Sequence, residues 1–290
     1  MIRKAVVLAA GMGSRLCPLT PFLPKEMLPI GGLPALHHVL RELADGGIRE
    51  VLVVLSEGKQ SIVDYLTKEI SPKGERAIAL SEERDDLLSK LRFDFAWQKK
   101  PRGTADAIYL ARDFMGSDPL LVAYPDDLLS FAGDQGGVEV IPKLGELTEN
   151  SGKSALLVRE IPRAEASSYG VVTLGERCEE DVYVAMDIVE KPRVYGLDRA
   201  FAMIGRFTIT PEVTESIPYL PVNDAEGIVP ALVKQAKRGA LLALVHRGMR
   251  LDIGSHGGYA HACQTLAIED CGEKSGRTIY GERTLSNLPS

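Results

Sequence analysis

The segment Ala5–Ala9 is apolar at every position, and a loop that contains Gly11 and Gly13 follows it directly. An unbroken apolar run of this kind is typical of a strand buried on both faces by covering helices. Glycines directly after a strand let backbone N–H groups approach an anion closely. The junction therefore predicts a phosphate-binding loop, with a tight structural turn as the alternative.

Two cations distinguish this loop from other glycine-rich turns. Arg15 lies inside the loop, and Lys25 follows ten residues later. An arginine can donate two parallel hydrogen bonds to phosphate oxygens, whereas a lysine acts as a mobile point charge. The pair favours phosphate binding over a structural turn.

Two common phosphate-binding motifs do not fit the sequence. A dinucleotide-binding fingerprint needs a third glycine and an acid about 20 residues later, but Leu16 occupies the glycine position and residues 34–36 are Pro-Ala-Leu. A Walker loop needs Gly-x-x-x-x-Gly-Lys-Ser. The segment Gly152–Ser154 matches its end, but Leu147 replaces the first glycine and a strand-like run follows. Both motifs are excluded.

The loop and the hexapeptide Pro24–Pro29, which reads Pro-Lys-Glu-Met-Leu-Pro, together resemble the signature of the sugar-1-phosphate nucleotidyltransferases. The hexapeptide is most similar to the bacterial UTP–glucose-1-phosphate uridylyltransferase branch. The resemblance implies catalytic roles for Arg15 and Lys25. It also implies that several residues bind the nucleotide: Ala9, Ala10, Gly11, Gly13, Ser14 and Glu26.

The segment from Gln98 to Ala107 leaves a predicted strand and enters a predicted helix that Thr104 is expected to cap. In the family, a glutamine at this strand end and a glycine five residues later flank the base, and Gln98 and Gly103 match them. A carboxamide supplies both a donor and an acceptor, which suits the N3–H and carbonyl groups of uracil. The alternative is a surface loop.

Two later motifs resemble the sugar side of the family's site. Tyr169 and Gly170 form the first, and Glu190 and Lys191 form the second. By resemblance, Glu190 accepts hydrogen bonds from sugar hydroxyls and Lys191 holds the sugar phosphate as a catalytic residue. Gly205 matches a family glycine at which the backbone approaches the sugar. Without this pattern, a Glu-Lys pair is an ordinary solvated charge pair.

The resemblance implies a Mg²⁺ cofactor held by Asp126 and Asp252. Asp126 follows an apolar strand, where the carboxyl ends of a parallel sheet bind ligands. Asp127 departs from the family pattern, and we interpret it as a loop cap. Asp252 precedes Gly254 in a motif that could equally be an Asx turn. The five histidines form no ligand set, so zinc is not expected.

Composition limits the partners and the compartment. The 290 residues are 45% hydrophobic and carry a net charge of −6, which argues against a nucleic acid or an anionic membrane as partner. The sequence begins without a signal peptide and contains no long apolar span, so we expect a cytoplasmic protein. We expect a homo-oligomer, either a dimer or a tetramer. Cys17, Cys178, Cys263 and Cys271 have no metal-binding spacing, so we expect reduced packing residues.

Strands alternate with helices up to about residue 130, whereas strands follow one another closely between residues 154 and 209. With the resemblance, this indicates an α/β fold: a Rossmann-like, doubly wound mixed sheet with antiparallel additions that form the sugar side. We predict one domain over residues 1–270. Its nucleotide half covers about 1–130 and its sugar half 150–255, and a polar C-terminal tail covers 271–290.

The implied reaction converts UTP and glucose 1-phosphate into UDP-glucose and pyrophosphate. Two alternatives remain at this point. One is a dTTP-using glucose-1-phosphate thymidylyltransferase, because uracil and thymine differ by one methyl group, worth about 1–3 kcal/mol. The other is a catalytically silent homologue that binds a sugar nucleotide and regulates a partner.

Overall fold

The computed structural model describes residues 1–100, 102–130, 140–193, 198–219 and 227–266. The predicted tail 271–290, the domain boundary at 270 and residues 222–226 of a predicted helix lie outside these ranges. No described helix is long and apolar enough to span a membrane.

The first part of the chain alternates strands and helices, as the sequence predicts. In chain order its elements are β1 (Lys4–Leu8), β2 (Pro29–Ile30), β3 (Leu33–Pro34), α1 (Ala35–Asp45), β4 (Glu50–Leu55), α2 (Gln60–Thr67), α3 (Glu75–Ser89), β5 (Arg92–Trp97), α4 (Gly103–Tyr109), α5 (Arg112–Met115), β6 (Leu120–Ala123), β7 (Asp127–Ser130) and α6 (Val140–Ser151).

The second part is richer in strands. Its elements are β8 (Ser154–Pro162), β9 (Gly170–Glu179), β10 (Val182–Glu190), β11 (Arg199–Ile209), α7 (Pro211–Ser216), α8 (Val229–Lys237), β12 (Leu241–Val245), β13 (Met249–Asp252) and α9 (His256–Thr265).

Nine strands form one mixed sheet in the order β5-β4-β1-β6-β11-β8-β12-β10-β9. β5, β4, β1 and β6 are parallel neighbours. β11 is antiparallel to both β6 and β8, whereas β12 runs parallel to β8. β9 and β10 form an antiparallel pair at the far edge. The predicted doubly wound mixed sheet with antiparallel additions is confirmed.

The sheet is covered on both faces, which explains the apolar sequence of β1. Val7 faces a core that it shares with α1, α2, α3, α6 and α9. Val6 faces a second core that it shares with α4, α5, α7 and α8. Each strand of the parallel part must therefore be apolar on both sides, and the sequence reads as a continuous hydrophobic run.

Three features differ from the sequence-based expectations. The predicted helix that ends near Phe114 is divided into α4 and α5. Thr104 does not cap α4, because its Oγ1 accepts a hydrogen bond from the Ile228 N–H at 3.0 Å, far along the chain. The short antiparallel pair β7–β13 was not predicted, because each strand has only four residues.

Cys17 and Cys178 are exposed free thiols, and Cys263 is partly buried. The expectation that the cysteines are reduced stays a prediction, whereas a packing role for the two exposed ones is wrong. Cys271 lies outside the described residues.

A buried hydroxyl pair joins α6 to the sheet. The Oγ1 atoms of Thr148 and Thr208 are 2.5 Å apart, and Thr208 Oγ1 also accepts a hydrogen bond from the Ala155 N–H at 3.0 Å. Both threonines are almost wholly inaccessible to solvent. The contact satisfies polar groups that would otherwise be buried without partners.

We predict that Thr208→Val lowers the free energy of unfolding by about 1–3 kcal/mol, because it leaves the Ala155 N–H and the Thr148 hydroxyl without partners in the core. Urea unfolding followed by circular dichroism would measure this loss. The control is Thr173→Val, since Thr173 is an exposed residue of β9 and should change stability little. Equal losses in the two variants would contradict the assignment.

Candidate active site

A cleft of about 570 Å³ lies at the carboxyl ends of the central strands, the usual place for ligands in open α/β sheets. The cleft is lined by nine of the residues predicted from the sequence: Arg15, Gly103, Asp126, Tyr169, Gly170, Glu190, Lys191, Gly205 and Asp252. These residues come from both halves of the chain, so the fold closes the predicted nucleotide and sugar sides around one space.

The predicted phosphate loop leaves β1 at its carboxyl end, where Ala9 and Ala10 are buried. Gly13 adopts a φ of 67°, in the left-handed region that favours glycine, and a 3₁₀ turn over Ser14–Leu16 follows. Within the described part of the chain, the N–H groups of residues 11–15 donate no hydrogen bond. Such a run of unpaired donors can bind a phosphate.

Lys25 lies between this loop and Asp126. Its Nζ is 2.5 Å from Asp126 Oδ2, and a Cβ placed on Gly11 would be 3.8 Å from the same Nζ. Burial opposes a charge on Lys25, but the carboxylates of Asp126 and Glu26 outweigh it and raise the pKa of Lys25. Burial likewise opposes a charge on Asp126, but Lys25 lowers the pKa of that carboxyl. Both groups are therefore ionised at neutral pH.

The β7–β13 pair brings the two predicted metal ligands together. Asp127 and Asp252 are opposite each other in the register, and the Ile253 N–H donates to the Asp126 carbonyl at 2.9 Å. A Cβ placed on Gly254 would lie 2.7 Å from Arg15 Nη2, 3.0 Å from Asp252 Oδ1 and 3.2 Å from Asp126 Oδ2. Two acids and one cation therefore converge on one point, which only a glycine leaves open.

The two carboxylates fit a hard divalent cation. Mg²⁺ prefers oxygen ligands and is usually held by one or two protein carboxylates together with substrate phosphates and water. Among the described residues, no group of three or more His, Cys, Asp or Glu side chains could hold a metal. The donor set suits an ion that the protein and a phosphorylated substrate bind jointly, rather than a structural metal.

Asp127 and Arg250 belong to the site, although the sequence analysis interpreted Asp127 as a loop cap and gave Arg250 no role. Asp127 is buried, and its Oδ2 accepts a hydrogen bond from the Gly205 N–H at 2.7 Å. Arg250 donates from Nε to Asp127 Oδ1 at 2.8 Å, and its Nη2 lies 3.3 Å from Asp252 Oδ2. The interpretation of Asp127 as a loop cap is therefore wrong. The sequence signal that could have indicated a role for Arg250 was its position two residues before Asp252, because residues two apart lie on the same face of a strand.

The sugar-side residues lie on neighbouring strand ends. Gly170 pairs with Glu190 in the β9–β10 register, and a Cβ on Gly170 would lie 3.1 Å from Glu190 Oε2. Lys191 follows with a φ of 45°, a left-handed conformation that is uncommon outside glycine. Its Nζ is 3.2 Å from Glu190 Oε1, and its side chain is mostly exposed. The Cζ atom of Arg250 lies over the Tyr169 ring, 5.0 Å from the ring centroid.

Of the eight predicted nucleotide-binding residues, Gly103 alone is among the described residues that line the cleft. Ala9, Ala10, Gly11, Gly13 and Ser14 belong to the loop that follows β1, and Gln98 and Glu26 lie outside both. Gln98 is buried and donates from Nε2 to the Gly103 carbonyl at 3.1 Å, directly beside the cleft. Glu26 is fully buried, and its Oε2 accepts a hydrogen bond from Lys59 Nζ at 2.7 Å. Burial raises the pKa of Glu26, although Lys59 and Lys25 oppose this. A direct nucleotide contact stays a prediction for both residues.

Comparison with known proteins agrees with this geometry. The sequence model of the family described as Nucleotidyl transferase matches residues 4–268. The chain belongs to this family. It is 32% identical to a UTP–glucose-1-phosphate uridylyltransferase of Pseudomonas aeruginosa over 271 residues, which cover 90% of this chain and 95% of the relative.

Solved structures with the titles UDP-glucose pyrophosphorylase and UGPase show the same fold. A crystal structure of UDP-glucose pyrophosphorylase complexed with UDP-glucose superimposes with a TM-score of 0.81 at 31% identity, covering 91% of this chain and 98% of the other. A UTP-bound UGPase from Acinetobacter baumannii superimposes with a TM-score of 0.78 at 25% identity, covering 93% and 95%. The resemblance stated from the signature residues is confirmed.

Behind the cleft of this nucleotidyl transferase, a buried arginine holds the Asp126 loop. Arg206 is completely buried and forms a two-bonded ion pair with Glu42, at 2.8 and 2.7 Å. The same guanidinium donates to the carbonyls of Tyr124, Gly205 and Asp127, each at 2.9 Å. The sequence signal was a charged residue inside the apolar strand β11, but nothing in the sequence identified its partners.

We predict that Glu42→Gln lowers the free energy of unfolding by about 3–5 kcal/mol, because it leaves the charge of Arg206 buried without a counterion. Chemical denaturation would measure the loss. Glu50→Gln is the matched control, since its partner Arg92 is largely exposed and a pair of this kind contributes about 1 kcal/mol or less. A loss for Glu42→Gln no larger than that of the control would show that the buried pair is not required.

Proposed function

We propose that the protein transfers a uridylyl group from UTP to glucose 1-phosphate, giving UDP-glucose and pyrophosphate. The observation that carries the proposal is the convergence of Arg15, Asp126 and Asp252 on the open space above Gly254, with Lys25 beside them. Such a group of cations and acids suits the transfer of a charged phosphorus centre. The uridylyltransferase relatives support uridine as the nucleoside and glucose 1-phosphate as the acceptor.

The nucleotide side of the proposal rests on the loop that follows β1. The unpaired N–H groups of residues 11–15 bind the triphosphate, and Arg15 adds a fixed cation. Lys25 neutralises charge on the α-phosphate and on the leaving pyrophosphate, where charge grows as the bond breaks. Groups aimed at charge that develops in the transition state lower the barrier most effectively.

The acceptor side requires no general base. A phosphate monoester has its second pKa near about 6 and is already ionised at neutral pH. The described residues that line the cleft include no histidine or cysteine, in agreement with this. Lys191 holds the sugar phosphate and Glu190 accepts hydrogen bonds from sugar hydroxyls. The left-handed backbone at Lys191 supports a functional role, because strained conformations cluster at such sites.

We further propose that Asp126 and Asp252 hold Mg²⁺ together with substrate phosphate oxygens. When bound, the ion would neutralise phosphate charge, as it does in other phosphoryl-transfer sites. The two aspartates orient their oxygens through contacts within the chain: Lys25 fixes Asp126, and the Gly254 N–H donates to Asp252 Oδ1 at 2.9 Å. Asp127 is already occupied by Arg250 and Gly205, so it is not a proposed ligand.

Pyrophosphate release across a matrix of nucleotides and sugar phosphates tests the function. The matrix contains UTP, dTTP, CTP, ATP and GTP against several sugar 1-phosphates, with Mg²⁺ present or chelated. We expect the highest kcat/KM for UTP with glucose 1-phosphate. A higher value for dTTP would favour the thymidylyltransferase. Uracil and thymine differ by one methyl group, which can change the relative binding free energy by about 1–3 kcal/mol. Binding of UDP-glucose without any pyrophosphate release would favour the silent homologue.

For the metal, Asp126→Asn and Asp252→Asn should each raise the Mg²⁺ concentration for half-maximal rate by about tenfold or more, because each removes one charged ligand. The double variant should lose less than the sum of the two losses, since both act through one ion. Magnesium titrations of the initial rate measure both effects. Asp127→Asn is the control and should shift the requirement far less. Full additivity would argue that the two acids do not share a metal.

A further inference from the structure

The carboxamide of Gln98 is held in one orientation by two acceptors. Its Nε2 donates to the Gly103 carbonyl at 3.1 Å and to Asp106 Oδ2 at 2.9 Å. A carbonyl and a carboxylate cannot donate, so only the amino end of the carboxamide can face them. Both hydrogens of that amino group are therefore used, and the orientation follows from the chemistry of the partners.

The other end of the carboxamide is open. Oε1 of Gln98 accepts no hydrogen bond from the described residues, yet it is not sealed from solvent. Among the described residues, the one fully buried side-chain nitrogen or oxygen without a partner is Oε1 of Glu26. Because Oε1 of Gln98 also has no partner but is not in this class, it retains contact with solvent. Gln98 follows the carboxyl end of β5, and the phosphate loop follows the carboxyl end of β1 in the same set of parallel strands. The partner of Gln98, Gly103, lines the cleft. The free acceptor is thus next to the ligand space.

Gly103 and Asp106 act from the first turn of α4. Gly103 has a φ of 80°, a backbone conformation that L side chains rarely adopt, and its carbonyl meets Gln98. Asp106 follows on the same helix. No other side chain of the described residues accepts a hydrogen bond from Gln98 Nε2, so Asp106 is the side chain that decides which end of the carboxamide is open.

We infer that Asp106 is a specificity-positioning residue, which locks Gln98 so that it presents only an acceptor to the base. Uracil carries an N3–H group, from which an exposed carbonyl oxygen can accept a hydrogen bond. Cytosine has an acceptor at N3, and the two acceptors then face each other without a proton between them. The lock therefore selects pyrimidines with an N3–H and rejects CTP. The inference rests on the proposed function, because it requires the base to lie beside Gln98.

The consequence of removing the lock follows from the same geometry. In Asp106→Ala one acceptor, the Gly103 carbonyl, holds the amino group instead of two. Turning the carboxamide over to donate from Nε2 to cytosine N3 therefore costs less than in the wild type, where Oε1 would also face the Asp106 carboxylate. UTP should bind more weakly and CTP more tightly. Asp106→Asn keeps a side-chain oxygen that can accept from Nε2, but its amide can also turn and donate to Oε1 of a reversed Gln98, so its ratio of CTP to UTP dissociation constants should lie between those of the wild type and Asp106→Ala.

The test measures dissociation constants of UTP and CTP by titration calorimetry on the full-length enzyme with Mg²⁺ and without sugar phosphate. We expect Asp106→Ala to lower the ratio of CTP to UTP dissociation constants by about tenfold, the size expected for one hydrogen bond to a charged group. Gln98→Ala is the reference and should lower the ratio at least as far. Asp113→Ala is the matched control, because Asp113 is a largely exposed acid on α5.

The outcomes separate the inference from the proposed function. An unchanged ratio in Asp106→Ala, or equal weakening of UTP and CTP, would overturn the inference, since a purely structural role would move both nucleotides together. Wild-type enzyme that binds the two nucleotides equally would also overturn it. Wild-type enzyme that prefers UTP but releases no pyrophosphate would instead refute the proposed function and leave the base-selection result standing.

Discussion

The guanidinium of Arg206 is the interaction on which the arrangement of the site depends. All five of its N–H groups have acceptors: two carboxylate oxygens of Glu42 and the carbonyls of Tyr124, Gly205 and Asp127. A buried charge is tolerated only when it is paired and its hydrogen bonds are complete. The requirement ties α1, β11 and the loop after β6 together, and that loop carries Asp126. The position of the acid is therefore set by a contact behind the cleft.

Charge within the cleft is paired in a pattern that leaves room for an anionic substrate. Lys25 pairs with Asp126 and Arg250 pairs with Asp127. Arg15 forms no ion pair in the part of the chain that the structure describes, and it lines the cleft beside five unpaired N–H groups. Unpaired positive charge and unpaired N–H donors therefore occur together at the loop after β1, where the triphosphate is proposed to bind.

The sequence predicts the local parts of this structure well and the long-range parts poorly. Val6 and Val7 lie in an unbroken apolar run because both faces of β1 are covered, so the strand and its loop can be read directly. The partners of Arg206 and Arg250 cannot be read, because Glu42 and Asp127 are distant in sequence and only the closed sheet brings them into contact. Thr104 shows the same limit, since a tertiary partner took the hydroxyl that a helix cap would use.

Glu26, for which a nucleotide contact stays a prediction, also influences the charge of its neighbour Lys25. It lies between two lysines, with Lys59 bonded to its Oε2 and Lys25 next to it in sequence, and its carboxylate raises the pKa of Lys25. Asp126 raises that pKa as well, but its charge would be shared once a cation or a substrate enters the site. Glu26 is not in the described lining of the cleft, and its carboxyl group lies beside both Lys25 and Lys59. The adjacent residues Lys25 and Glu26 therefore supply a cation and a buried carboxyl group that raises the pKa of that cation in addition to Asp126.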